Sequence, residues 1–151
     1  MKNTHKLLTA LLLLAGPLLL SAPANAAEHV VKMLNNGAGG MMIFEPAVLS
    51  VNVGDTVKFE ATDMAHNTAS VLTPAGATPW KGKINEEISI TLDTPGVYVY
   101  ECTPHAMMAM VGVIRVGTDP VDDATLKFAE QYKRKFVMNN NRLVKYLSEI
   151  E

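Results

Sequence analysis

The single cysteine of this chain, Cys102, begins the stretch Cys102-Thr103-Pro104-His105-Ala106-Met107-Met108-Ala109-Met110. One short segment thus delivers a thiolate, an imidazole and a choice of thioethers, the soft ligand set that redox-active copper accepts. Val97-Tyr98-Val99-Tyr100 precedes it and Val111-Gly112-Val113-Ile114-Arg115-Val116 follows. Both runs read as β-strands, so the ligands are predicted to sit on an inter-strand loop. Cys102 and His105 can reach one ion if Thr103-Pro104 turns tightly, as proline favours. A third strong ligand has to come from elsewhere. Of the other three histidines, His5 lies in the amino-terminal apolar stretch and His29 opens the first strand candidate. His66 stands in Asp63-Met64-Ala65-His66-Asn67-Thr68, a polar break from which a sheet edge can present an imidazole to the Cys102 loop.

The amino terminus predicts where the metal is met. Lys2 and Lys6 precede an apolar run from Leu7 to Leu20, and Ala24-Asn25-Ala26 supplies the small residues that a signal peptidase reads. Fourteen residues broken by Gly16-Pro17 are too few to span a bilayer comfortably. Residues 1–26 are therefore expected to be a cleaved signal peptide, with Ala27 as the mature start and the periplasm as destination. In an oxidising compartment a lone cysteine is buried and inert, paired between chains, or bound to metal. His105 and the methionines beside Cys102 favour the metal.

The remaining length suits one domain. Without Lys2 and Lys6, eleven basic side chains face fifteen acidic ones. From Ala27 to Asp123 there are five basic residues against twelve acidic, which argues against a nucleic-acid partner. The six basic residues of the last 28 positions read as solvated helix faces.

The elements that must position the ligands read as a β-rich body and a helical tail. Glu28 to Leu34 alternates like a half-buried strand, and Asn35-Asn36-Gly37-Ala38-Gly39-Gly40 is expected to break it. Strand candidates follow at Met42 to Glu45, Val48 to Val51, Thr56 to Glu60, Thr68 to Val71, Glu87 to Leu92, Val97 to Cys102 and Val111 to Val116. Seven or eight short strands at this spacing predict a Greek-key β-sandwich spanning residues 27–121. In residues 122–151, Asp122 and Asp123 can cap a helix carrying Leu126, Ala129, Tyr132 or Lys133, and Phe136. Asn139-Asn140-Asn141 can end it and cap a second helix through Leu143, Val144, Leu147 and Ile150. Both stripes are expected to pack on the sandwich.

Asp63-Met64-Ala65-His66-Asn67 together with Cys102-Thr103-Pro104-His105 and Met110 resembles the type 1 copper site of the cupredoxins. Met33-Leu34-Asn35, Phe44-Glu45-Pro46, Gly54-Asp55-Thr56-Val57, Lys83-Ile84-Asn85-Glu86 and the helical tail extend the resemblance to the pseudoazurins over the whole mature chain. The resemblance implies one copper, with His66, Cys102 and His105 as equatorial ligands and a methionine as the weak axial one. Met107, Met108 and Met110 all compete for that place. The pseudoazurin spacing selects Met110, whereas the amicyanin spacing would select Met108. Met107 is expected on the surface and Met108 packed beside the site. The resemblance also implies that Asn67 and Thr103 tie the two ligand loops together and hydrogen-bond around the sulfur.

This set leaves no open coordination position, so the expected role is electron transfer and not enzymatic catalysis. The resemblance makes the edge of His105 the exit for the electron. An apolar surface of Met41, Met42, Met64, Pro104, Ala106 and Met107 would dock redox proteins briefly: c-type cytochromes, or copper or haem reductases such as a nitrite reductase. A monomer without stable membrane attachment suits such a carrier. Many pseudoazurins carry lysines just before the cysteine and two residues before the first histidine; here those positions hold Glu101 and Met64, while Lys81 is retained. A different electrostatic partner preference follows. The alternative function is a periplasmic copper carrier or chaperone, which the clustered methionines could also support. A thiol enzyme lacks a third orienting residue, and a copper enzyme would need more histidines than the chain has. Finally, a mature start of Ala27-Glu28-His29 offers a second, square-planar metal site, unless His29 simply begins the first strand.

Overall fold

A computed structural model describes residues 26–150. Of the expected signal peptide, residues 1–26, all but Ala26 lies outside the described residues. Eight strands form two four-stranded sheets. The first sheet holds β1 (Glu28–Gly37), β2 (Gly40–Glu45), β4 (Thr56–Glu60) and β6 (Ile88–Thr91) in the order β2-β1-β4-β6. The second holds β3 (Val48–Val51), β5 (Ala69–Leu72), β7 (Gly96–Glu101) and β8 (Val111–Val116) in the order β3-β8-β7-β5. Pairings are antiparallel except β1 with β4 and β3 with β8.

Alternation along β1 turns Val31 and Met33 inward, where they meet Phe44, Val57, Phe59, Trp80, Leu92, Tyr98, Tyr100, Ile114 and Val116 in the space between the sheets. Phe44 and Phe59 both meet the Tyr100 ring edge-on, at centroid distances of 4.8 and 5.0 Å. Cys102 and Met110 belong to this same core. The ligand loop therefore hangs from the core between the two sheets.

The second sheet is covered on both faces. Val97, Val99, Val111 and Val113 turn outward beneath the carboxy-terminal helices α1 (Asp123–Tyr132) and α2 (Arg142–Ser148), which contribute Ala129, Tyr132, Leu143, Tyr146 and Leu147. This explains why Val97-Tyr98-Val99-Tyr100 is continuously apolar: a strand buried on both faces loses the polar half of its alternation.

Three expectations need adjustment. The break foreseen from Asn35 is confined to Ala38-Gly39, because Asn36 and Gly37 still pair with Met41 and Gly40 across a hairpin. The first helix is capped by Asp122, whose side chain accepts from the Thr125 amide at 2.7 Å, but it ends at Tyr132. Phe136 is buried after a 3₁₀ turn, Lys133–Lys135, and so continues the packing face without continuing the helix. Ile150 likewise packs beyond the end of α2.

Candidate metal centre

Cys102 directly follows β7, and the chain turns at once: the His105 amide donates to the Cys102 carbonyl at 3.0 Å, with Pro104 in the first turn of a 3₁₀ segment, Thr103–Met108. Ala109 then takes a left-handed conformation (φ 57°) that returns Met110 to the head of β8. The Cys102 amide donates to the Met110 carbonyl at 2.9 Å and closes the loop at its base. His66 arrives at the same end of the second sheet, just before edge strand β5, whose Ala69 pairs with Glu101, after a left-handed Ala65 (φ 71°). Asn85 holds that turn from both sides, its side-chain oxygen accepting from the Ala65 amide at 2.6 Å and its amide donating to the His66 carbonyl at 2.7 Å. Left-handed alanines immediately before His66 and Met110 are costly conformations that only a tightly determined surrounding maintains.

The structure brings His66, Cys102 and His105 together. Their facing atoms form a triangle: Nδ1 to Nδ1 is 3.1 Å, Sγ to His66 Nδ1 is 3.6 Å and Sγ to His105 Nδ1 is 3.4 Å. The circle through those three points has a radius of about 2.0 Å, close to the bond length of about 2.0–2.1 Å between imidazole nitrogen and a borderline-soft transition metal such as zinc. Two imidazoles and a thiolate at that spacing fit copper. His66 and Cys102 are fully buried, and His105 is half-exposed.

Protonation agrees with ligation. Burial, reinforced by the His105 charge and opposed by Asp63, pushes His66 below the usual imidazole range, which keeps it neutral. Its Nε2 lies 3.1 Å from the Asn35 side-chain oxygen, an acceptor, so Nε2 carries the proton and Nδ1 offers its lone pair. Burial pushes the Cys102 thiol up, while the Asn67 and His105 amides aimed at the sulfur pull it down and the Glu101 charge raises it. A metal entering here must displace the thiol proton.

Asn67 is the bridge between the ligand loops. Its side-chain oxygen accepts from the Thr103 amide at 2.8 Å, and its Nδ2 donates to Thr103 Oγ1 at 3.2 Å and to the Gly82 carbonyl at 3.0 Å. Asn35 and Asn85 are the residues that sequence reasoning missed as functional. Asn35 reads from the sequence as the start of a strand break and Asn85 only as part of the resemblance, and nothing local distinguishes either from a turn asparagine. Met110 is fully buried in the core with Cys102, Met108 is half-buried, and Met107 is 60% exposed. Met41 and Met64 are exposed, as the apolar surface around His105 requires. Glu101 does not stand free on the rim: it is half-buried and accepts a hydrogen bond from the Tyr132 hydroxyl. At the amino terminus, the Ala27 amide and His29 Nε2 bind the two oxygens of Asp55 at 2.8 and 2.9 Å, and β1 is already paired with β4 at Glu28 and His29. A second chelate at Ala27-Glu28-His29 would have to dismantle that strand.

Comparison with known proteins agrees with the geometry. The sequence pattern of the copper binding proteins of the plastocyanin/azurin family matches residues 31–117. A pseudoazurin of Paracoccus pantotrophus is 42% identical over 122 residues, covering 80% of this chain and 84% of its own. Among solved structures, a Sinorhizobium pseudoazurin is 45% identical with a TM-score of 0.69, covering 83% of this chain and 97% of its own. A pseudoazurin from Hyphomicrobium denitrificans is 35% identical with a TM-score of 0.71, covering 83% and 99%. Two imidazoles and a buried thiolate converging at one end of a β-sandwich, matched along most of the chain, place this protein in the copper-binding plastocyanin/azurin family, among the pseudoazurins.

Proposed function

We propose that this protein is a periplasmic electron carrier that holds one type 1 copper between His66, Cys102, His105 and Met110. The observation that carries the reading is the ligand triangle, whose size suits one ion while its surroundings are rigid and apolar. Copper held there supplies a one-electron couple between its two oxidation states. The protein's part is to keep the donor atoms in place for both states. The Asn67 bridge ties the two ligand loops to each other, and the Asn85 clamp fixes the turn that carries His66. Met110 is assigned the axial position on its burial beside Cys102 at the start of β8.

His105 is the one half-exposed imidazole of the triangle and therefore the shortest route to a partner. Met107, two residues from His105, and Met64, two residues before His66, are exposed, as is Met41, and apolar surface of this kind suits brief docking of a redox protein such as a c-type cytochrome or a copper or haem reductase. With Glu101 bound to Tyr132 and Met64 uncharged, partner charge is expected to steer encounter weakly. Export with cleavage after Ala26, and a monomeric carrier, belong to the same proposal. The apolar run and Ala24-Asn25-Ala26 support the export.

The test is the visible and electron paramagnetic resonance spectrum of protein loaded with one Cu(II), for wild type and Cys102→Ser. An intense thiolate charge-transfer band with narrow copper hyperfine splitting, lost in the variant, is expected. A colourless tetragonal spectrum in the wild type would overturn the reading and favour a copper carrier.

A further inference from the structure

Arg142, the first residue of α2, donates to three backbone carbonyls that are distant in sequence. Its Nη1 lies 3.0 Å from the Met42 carbonyl, 3.0 Å from the Ala109 carbonyl and 3.3 Å from the Met41 carbonyl, and its Nη2 lies 3.3 Å from the Met41 carbonyl. Two of these acceptors belong to left-handed residues, Met42 (φ 47°) and Ala109 (φ 57°). Ala109 is the residue that delivers Met110, and Met42 flanks the same core. Gly40, at φ 111°, supplies a backbone conformation that other residues rarely adopt at the hairpin turn the guanidinium reaches. A planar fork with five donors can span several acceptors at fixed angles, which a single ammonium cannot do as rigidly.

We infer that Arg142 is a positioning residue for the copper site: it pins the left-handed turn at Ala109 to the β1–β2 hairpin and thereby fixes where Met110 stands relative to Cys102. The inference rests on the copper reading above and extends it to a residue of the helical tail. The tail then does more than cover the second sheet. It reaches over the end of the sandwich and sets the geometry of the weakest ligand, the one to which a site of this kind is most sensitive in potential. Arg142 touches no proposed ligand side chain, so its effect passes through the Ala109 and Met42 backbone.

Four proteins decide it: wild type, Arg142→Ala, Arg142→Lys and Arg115→Ala. Arg115 is the control, since it also ties the tail to the sandwich, donating to the Ile150 carbonyl at 2.6 Å and to Ser50 Oγ at 3.3 Å, but away from the ligands. In metal-free protein, amide exchange at Cys102, whose N–H closes the loop onto Met110, is expected to accelerate about tenfold in Arg142→Ala, as for loss of a charge-assisted hydrogen bond. In copper-loaded protein, Arg142→Ala is expected to shift the reduction potential and the charge-transfer band ratio, with Arg142→Lys falling between it and wild type. Arg115→Ala is expected to lower thermal stability and leave the potential, the spectrum and Cys102 exchange as in wild type. Should Arg142→Ala lose stability while its potential and spectrum stay unchanged, or Arg115→Ala shift them equally, the inference fails and Arg142 is merely structural. If Arg142→Ala does not fold, Arg142→Lys against Arg115→Ala decides by the same readings. A wild type without a charge-transfer band sinks the copper reading instead, and the exchange comparison still reports on the clamp.

Discussion

Replacing Asn67 by alanine removes the bridge between the two ligand loops with little change in the core, because the side chain spends its polar atoms on three hydrogen bonds. Those bonds, to the Thr103 amide, Thr103 Oγ1 and the Gly82 carbonyl, span 2.8 to 3.2 Å. At a net worth of about 0.5–1.5 kcal/mol each, their loss sums to about 2–4 kcal/mol. Asn67 is 3% exposed, so its partners on the Gly82 side cannot all turn to water, whereas Thr103 is exposed and can recover part of the loss. In a domain of this length each kcal/mol moves the melting temperature by about 4 °C. The expected drop is therefore about 8–16 °C. Thermal denaturation of the metal-free protein isolates the effect from copper binding, which adds its own stabilisation to the folded state. Thr103→Ala should cost less, since it deletes one side-chain oxygen and leaves the Thr103 amide bonded to Asn67. The pair should be strongly non-additive in a double-mutant cycle. If Asn67→Ala costs no more than Thr103→Ala, or if the two add, the bridge does not hold the loops and the argument for a preset ligand geometry falls.

Three other outcomes follow from the same structure. Asn35→Ala frees the His66 Nε2 proton from its acceptor, and copper affinity should fall about 10–100-fold in competition with a Cu(I) chelator while the fold persists. Asp55 is held at about 2 by hydrogen bonds from His29, Ala27 and Asn52, so the stability it contributes is complete above about pH 4 and is lost as pH falls toward 2. Asp55→Asn should accordingly flatten the acid limb of a melting-temperature profile, and an unchanged limb would remove this carboxylate from the account. Gly112→Ala places a Cβ into the Tyr100 ring at Cζ, an overlap that must displace the ring and should destabilise by about 1–3 kcal/mol in urea titration. Combining it with a smaller residue at position 100 should recover part of that loss.

Local chemistry made much of this protein legible before its fold was known. Cys102, His105 and the methionines announce their metal because the ligand types lie within one turn of each other, and turn geometry is a near-neighbour property. The Asp122 cap and the limits of β8 were readable for the same reason. The histidine inventory pointed to His66, and the resemblance added Asn67 and the choice of Met110. What the tertiary structure alone decided are the encounters across long stretches of chain. They are the 3.1 Å approach of two imidazoles 39 residues apart, the Asn35 contact that sets the His66 proton, and an arginine 33 residues beyond Ala109 that reaches back to its carbonyl. The full extent of β1 and the early end of the first helix belong here too. Strand pairing overrode the turn residues Asn36 and Gly37, and packing kept Phe136 buried where the helical hydrogen bonds had already stopped. Propensity and periodicity describe what a segment prefers in isolation. Which donor finds which acceptor depends on how two sheets and two helices close around one core.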